Sequence, residues 1–182
     1  LRTPATQQGR CVEVVRQLAL AHPAVGFKVT CDARVSLDLR RGQGPRERAL
    51  EVLGRELEPE LLEIGADHLD TGGALNVWGL IGTPEIARAT AGAMYIFVRG
   101  RPVRDRTLQH AVREAYRGLI EPGRYPTAVV MIEMDPGAVD VNVHPAKAEV
   151  RFRDSSAVHQ AVLRACRRGL QGADLTPRVP LG

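Results

Sequence analysis

Residues 93–120 read AMYIFVRGRPVRDRTLQHAVREAYRGLI, and this stretch decides much of the fold. It begins with an apolar run ending at Val98, rich in aromatic and β-branched residues, which predicts a buried strand. A turn-forming segment follows, and Asp105 is a typical helix N-cap. The next residues predict a helix from Thr107 to about Ile120, because apolar side chains recur there at helical spacing. The apolar stripe that we expect to face the core comprises Leu108, Val112, Ala115 and Leu119.

Other short, β-rich segments surround this unit and are separated by Gly, Pro or Asp. They lie at 61–64, 75–81, 127–134 and 139–143, and we expect them to form one sheet together with the strand at 93–98. A second helix is predicted over 155–170, after the cap Asp154. Strands followed by helices that lie across them predict an α+β fold, a two-layer arrangement of a mixed sheet with helices on one face.

The first 40 residues predict a separate unit. A helix is expected over about 5–21, followed by a hairpin of 26–30 and 35–39, and these elements alone cannot enclose a core. We therefore interpret residues 1–40 as the trailing edge of an upstream domain, in a fragment of a longer protein. The linker-like residues 40–45 mark the boundary, a short helix follows to about Leu53, and 41–182 form the second domain. Its tail from about residue 172 is expected to be loose.

Charge is distributed unevenly along the 182 residues. Residues 1–98 carry 11 basic and 12 acidic side chains, whereas residues 99–182 carry 14 basic and 9 acidic side chains. No run approaches the roughly 18 apolar residues of a membrane span. The cysteines Cys11, Cys31 and Cys166 match neither a metal pattern nor a paired disulfide framework, so we expect an intracellular protein with free thiols.

The predicted helix at 107–120 has a basic face opposite its apolar stripe. Arg106, His110, Arg113 and Arg117 recur at helical offsets, and Arg101 and Arg104 precede them. A basic ridge of this length suits a phosphate backbone, whose neutralised phosphates release counterions. A solvated arginine-rich helix face explains the spacing equally well. No groove-reading motif accompanies the ridge, so any DNA binding is expected to be independent of sequence.

A second segment of interest reads VDVNVHPAKAEVRF at 139–152. Alternation through Val143 predicts a half-buried strand, and His144-Pro145 ends it, which places Lys147 on a short rigid connection. Only Lys28 and Lys147 are lysines among 25 basic residues. A compact ammonium in this position suits a terminal phosphate, although an exposed loop lysine without function is the simpler interpretation.

The sequence lacks several catalytic signatures. It has no GxxxxGK[ST], HExxH or GxSxG motif, and no Cys/His cluster at zinc spacing. We therefore expect no metal site and no catalysis by this chain alone.

Two of these segments together resemble the MutL family of DNA mismatch repair proteins. FVRGRPVRDR at 97–106, with the helix after it, is similar to one family motif, and VDVNVHPAK at 139–147 is similar to another that is highly specific. Residues 1–9 also look like the stretch at the end of the family's ATPase domain. The resemblance extends over the chain to about Leu170. One departure is Arg99, where the family usually has Asn before the glycine.

The resemblance implies an architecture and a function. Residues 1–40 would be the C-terminal edge of a GHKL-type ATPase domain, and 41–182 a transducer domain with a ribosomal-protein-like β-α fold. The parent would be an ATP-dependent repair coordinator that binds ATP and Mg²⁺, dimerises through its N-terminal region, and engages DNA and the mismatch sensor MutS. Lys147 would reach the ATP γ-phosphate as the catalytic contribution of this chain, and Arg106 would contact DNA, with Arg101, Arg104, Arg113 and Arg117 beside it.

Neither ATP nor Mg²⁺ is expected to be bound by this fragment alone. The location implied is intracellular and away from membranes, in the cytoplasm at a bacterial nucleoid or in a eukaryotic nucleus. Two alternatives stay open: a DNA-binding module without nucleotide control, and the transducer domain of a type II topoisomerase.

Overall fold

A computed structural model describes residues 4–65, 75–141 and 150–173. The first unit consists of helix α1 (Pro4–Ala21) and a hairpin of strands β1 (Phe27–Cys31) and β2 (Arg34–Leu39). Asp32 and Ala33 form the two-residue turn of the hairpin, both with positive φ. The predicted helix and hairpin are therefore confirmed. The loose tail predicted from residue 172 falls mostly on 174–182, outside the described residues.

The central element is a five-stranded mixed sheet. Its strands are β3 (Leu61–Ile64), β4 (Leu75–Gly82), β5 (Met94–Val98), β6 (Arg101–Pro102) and β7 (Ala128–Met134), in the spatial order β3-β4-β7-β5-β6. Strands β5 and β7 are parallel, and the other neighbours are antiparallel. Parallel neighbours need a crossover, which here contains helix α3 (Arg106–Ala115). The α+β fold class predicted from the sequence is confirmed.

One strand prediction was wrong about its partner. Strand β8 (Val139–Val141) pairs with β9 (Val150–Phe152) in a separate two-stranded ribbon and does not join the main sheet. The two strands are close in sequence, so they satisfy their backbone groups locally. Helix α4 (Ser155–Gln171) follows β9, and its Asp154 cap accepts a hydrogen bond from the Ala157 amide, as the sequence predicts.

The extent of α3 is also corrected. The helix ends at Ala115, and the chain then turns through Gly118, whose φ is 80°. Leu119 was predicted to continue the buried stripe, but it is 44% exposed. Leu108, Val112 and Ala115 are buried as expected, and Ala111 completes the core-facing side.

Helices cover both faces of the sheet. Alternate residues of β5 and β7 point to opposite sides, so Ile96 and Val130 pack with α3 and α4, while Phe97 and Val129 pack on the other side. That second side is covered by Leu20 of α1 and by helix α2 (Pro45–Leu53). The prediction of helices on one face thus holds for α3 and α4 only. The continuous burial of β5 reflects this double cover.

Candidate nucleic-acid interface

The basic segment starts at a two-residue turn between β5 and β6. Val98 pairs with Arg101, and the intervening Arg99 and Gly100 have φ of 50° and 73°. Positive φ at both central positions defines a type I′ turn, in which Asn-Gly is the favoured pair. The asparagine usual in the family therefore suits the backbone here, and Arg99 adds an exposed charge in a conformation that arginine rarely adopts.

The start of α3 combines a cap with an opposing charge. Asp105 accepts a hydrogen bond of 2.9 Å from the backbone N–H of Leu108, which satisfies one free amide of the first turn. Arg106, the first helical residue, is exposed. A cation at this end opposes the helix dipole, so helix stability does not explain why an arginine occupies the position. Arg101 and Arg104 precede it and are exposed as well.

Arg113 of α3 and Arg117 in the turn after it are exposed but already have partners. The Arg113 guanidinium lies over the ring of Tyr125, with Cζ 4.7 Å from the ring centroid. Arg117 donates to Glu114 at 2.5 Å. Among the described residues, by contrast, no ion pair is formed by Arg101, Arg104 or Arg106 within 4.0 Å. These three arginines thus have the least compensated charges of the ridge.

Helix α4 extends the basic surface, a contribution that local spacing in the sequence does not reveal. His159 faces His110, with 3.2 Å between His110 Nδ1 and His159 Nε2 and with the rings stacked. Arg167 Nη2 lies 3.8 Å from Glu114 Oε1, so this carboxylate, whose side chain is 17% exposed, serves cations of both helices. Helix α4 contains no acidic residue, so it adds only basic groups to this surface. The sequence alone does not indicate that α3 and α4 are adjacent. The α3–α4 face is formed by Arg106, His110, Arg113, Arg117, His159, Arg164 and Arg167.

Behind this face the titratable groups are buried and neutral. Burial raises the pKa of the Cys166 thiol to about 12. Burial likewise raises the pKa of Tyr116, whose hydroxyl donates to the Gly82 carbonyl oxygen at 2.5 Å. The positive potential of the region therefore comes from its exposed arginines.

Lys147 lies outside the described residues. The structure describes the strands on either side of it, β8 and β9, which pair through Val141 and Val150. Its role as the phosphate contact therefore remains a prediction from the sequence. None of the helices in the described residues combines the length and the apolar composition that a membrane span requires.

Comparison with known proteins assigns the class of this domain. Residues 49–171 match the family model described as DNA mismatch repair protein, C-terminal domain. This region contains the whole sheet, α3 and α4. The chain belongs to the DNA mismatch repair protein family. This membership argues against the transducer of a type II topoisomerase.

Within that family the chain is of the MutL type. It is 43% identical over 176 residues to the DNA mismatch repair protein MutL of Herminiimonas arsenicoxydans. The aligned residues cover 97% of this chain and 28% of that protein. It is 42% identical over 178 residues to MutL of Paramagnetospirillum magneticum (strain ATCC 700264 / AMB-1), covering 95% of this chain and 29% of that protein. The chain thus spans little more than a quarter of the length of these relatives.

Solved structures agree with the fold. The crystal structure of the N-terminal domain of a DNA repair protein matches with a TM-score of 0.69 and 21% identity, over 89% of this chain and 53% of that one. The Aquifex aeolicus MutL ATPase domain complexed with ADP matches with a TM-score of 0.54 and 17% identity, over 89% and 50%. At these identities the similarity establishes the fold alone.

Proposed function

We propose that this chain supplies a DNA-binding face to a MutL-type repair protein. The observation that carries the proposal is the α3–α4 face, whose five arginines are exposed, and Glu114 pairs with two of them, Arg117 and Arg167. Exposed arginines can neutralise phosphates, and no groove-reading motif accompanies them in this sequence. The DNA partner is therefore a backbone of any sequence, and Arg101 and Arg104 extend the contact toward β6.

The second part of the proposal concerns nucleotide control. In the full-length parent, a GHKL-type domain that ends in residues 1–40 holds ATP and Mg²⁺, and Lys147 contacts the γ-phosphate. Residues 41–182 act as the transducer. The support is the VDVNVHPAK segment at 139–147 together with the rarity of lysine in this chain. This chain alone then neither hydrolyses ATP nor binds it tightly.

The remaining parts of the proposal follow from family membership. The parent dimerises through its N-terminal region, receives the signal of the mismatch sensor MutS, and works inside the cell. Because the curated relatives are bacterial MutL proteins, we place it at the nucleoid. A DNA-binding module without nucleotide control is the alternative, and it predicts that ATP leaves the DNA affinity of the parent unchanged.

The decisive experiment is a DNA titration of this chain at several salt concentrations, with binding measured by fluorescence anisotropy. Arg106→Glu should weaken binding to unrelated duplexes alike and reduce the salt slope by about 1, since one phosphate contact is lost. Arg34→Glu on β2 is a matched control, because Arg34 is also exposed but lies outside the α3–α4 face. An unchanged slope for Arg106→Glu, or an equal effect of both variants, contradicts the proposal.

Smaller effects are expected where the cation already has a protein partner. Arg113 is stacked on Tyr125 and Arg117 is paired with Glu114, so each has less free charge to offer a phosphate. Arg113→Glu and Arg117→Glu should therefore weaken binding less than Arg106→Glu.

A further inference from the structure

Arg48 is a completely buried arginine that has no part in the α3–α4 face. It lies on α2, its side chain is 0% exposed, and it is the largest fully buried side chain among the described residues. Burying a cation is costly unless its donors are satisfied. Its guanidinium donates to Gln43 Oε1 at 2.6 Å and to the carbonyl oxygens of Ala19 at 3.1 Å, Pro23 at 2.8 Å, Val25 at 2.7 Å and Arg40 at 2.5 Å.

The four carbonyl groups belong to three separate segments of the first 40 residues. Ala19 is in the last turn of α1, where helix carbonyls lack intrahelical partners. Pro23 and Val25 lie between α1 and β1, and Arg40 follows β2. One side chain of α2 thus caps α1 and holds both ends of the β1–β2 hairpin.

The charge of Arg48 is compensated mainly by these neutral acceptors. Burial lowers the pKa of Arg48, and the more distant charges of Glu51 and Glu47 oppose that effect. Glu51 itself accepts a hydrogen bond of 2.7 Å from Arg55. An apolar side chain of similar size would avoid the desolvation cost, so the arginine is better explained by the directional geometry of its five contacts than by stability.

The same segments rest on the sheet. Leu20, next to Ala19 in α1, is 2% exposed and packs with Leu80 and Phe97 on the face opposite α3 and α4. Phe27 of β1 provides an aromatic ring 5.7 Å from Arg48 Cζ. Residues 4–40 are therefore joined to the second unit by an apolar contact through Leu20, by the hydrogen bonds of Arg48, and by the Tyr95 hydroxyl of β5, which donates to Glu13 Oε2 of α1 at 3.3 Å.

We propose that Arg48 is a positioning residue that fixes residues 4–40 in one orientation on the sheet. A movement of the domain to which these residues belong then reaches the α3–α4 face as a rigid-body displacement, because α1 and the hairpin cannot rotate independently of α2. The consequence for nucleotide signalling rests on the proposed function, while the fixed orientation itself does not.

Hydrogen exchange measured by mass spectrometry on the 182-residue chain tests the proposal. Arg48→Met keeps the volume but leaves the carbonyl groups without donors, and Arg48→Lys keeps the charge but has too few donors for five acceptors. Both variants should exchange at least about tenfold faster in α1, β1 and β2, with the larger effect for Arg48→Met, while β4 and β7 keep their protection.

Two further variants make the result interpretable. Arg46→Met is the matched control, because Arg46 is on the same helix but is exposed, with ion pairs to Glu58 and Glu63, and it should leave exchange in α1 unchanged. Gln43→Leu removes a single acceptor, so it decides the question if Arg48→Met does not fold. Unchanged protection of residues 4–40, or an equal loss in β4 and β7, overturns the proposal.

A parallel DNA titration separates this proposal from the proposed function. Arg48→Lys should bind DNA within about twofold of the unmodified chain, since the α3–α4 face is untouched. Failure of the chain to bind DNA would contradict the DNA-binding proposal while the exchange result for Arg48 stands.

Discussion

His110 and His159 face each other across the two helices, with 3.2 Å between Nδ1 of the first and Nε2 of the second. A hydrogen bond of this length needs one ring nitrogen to donate and the other to accept. The pairs His110–His159 and Glu114–Arg167 advance together along the chain, which means that α3 and α4 run in the same sense. The contact between the two histidines therefore holds α3 and α4 side by side at the α3–α4 face.

A double-mutant cycle on this pair should show coupling. We expect His110→Ala and His159→Ala to be non-additive by about 0.5 to 1 kcal/mol in the free energy of unfolding, because either change removes the same hydrogen bond. Urea denaturation of the four proteins at pH 8 measures it. Strict additivity would mean that the two rings are neighbours without an energetic link.

Arg106→Glu should separate stability from DNA binding. Replacing a cation by an acid at the first residue of α3 favours the helix dipole, so the free energy of unfolding should rise by about 0.3 to 1 kcal/mol. DNA affinity should fall in the same variant. Urea denaturation beside the anisotropy titration provides both values, and a loss of stability would show that Arg106 supports the helix.

Arg99→Asn should stabilise the domain. Asparagine tolerates the positive φ of this turn position better than arginine, and we expect a gain of about 0.5 to 1 kcal/mol. Thermal unfolding should then shift upward by about 1 to 4 °C. Arg101→Asn is a suitable control, since Arg101 also loses its charge but lies in β6 without a positive φ. Equal shifts in both variants would point to charge instead of backbone conformation.

Stability should fall in mildly alkaline solution because of Cys166. Its pKa is about 12 in the fold against 9.0 for the free thiol, so above pH 9 the unfolded chain loses a proton that the folded chain keeps. The unfolding free energy should drop by about 1 kcal/mol between pH 8.5 and 10. Cys166→Ala should be less stable at pH 8 but show a flatter dependence. If the free energy of unfolding falls equally with pH in Cys166→Ala and in the unmodified chain, the drop belongs to another group.

Lys147→Ala in the full-length parent should lower ATP turnover and leave the fold intact. Losing a charge-assisted hydrogen bond costs about 1.5 to 3 kcal/mol, which corresponds to roughly 10- to 150-fold. Lys147→Arg should rescue only in part, because a planar guanidinium does not reproduce a compact ammonium. Steady-state ATPase assays measure turnover, and thermal unfolding measures the integrity of the fold. Normal turnover in Lys147→Ala excludes the phosphate role, and loss of the cooperative unfolding transition indicates that Lys147 supports the fold.

Local patterns predicted most elements of this fold. Asp105 and Asp154 marked helix starts correctly, and the apolar runs of β5 and β7 were found because burial on both faces leaves an uninterrupted signal. The end of α3 was predicted wrongly. The helical spacing of apolar residues continues in the sequence to Leu119, but the chain turns at Gly118, which has a positive φ.

Contacts between distant segments were not predictable in the same way. Neither the pairing of His110 with His159 nor the burial of Arg48 has a signature in local spacing, because each depends on how separate elements meet. An arginine in the polar segment PRERALEVL is typical of an exposed helix face. Only the fold brings it under four carbonyl groups.

The short strand β6 also affects how copies of this protein behave toward each other. It forms one border of the sheet, has two residues, and ends in Pro102, which has no backbone N–H to offer. A strand from another molecule would find little to pair with there, so this border resists the edge-to-edge stacking that leads to aggregation. The inner strands of this sheet can therefore stay strongly apolar without β6 recruiting neighbouring molecules at high concentration.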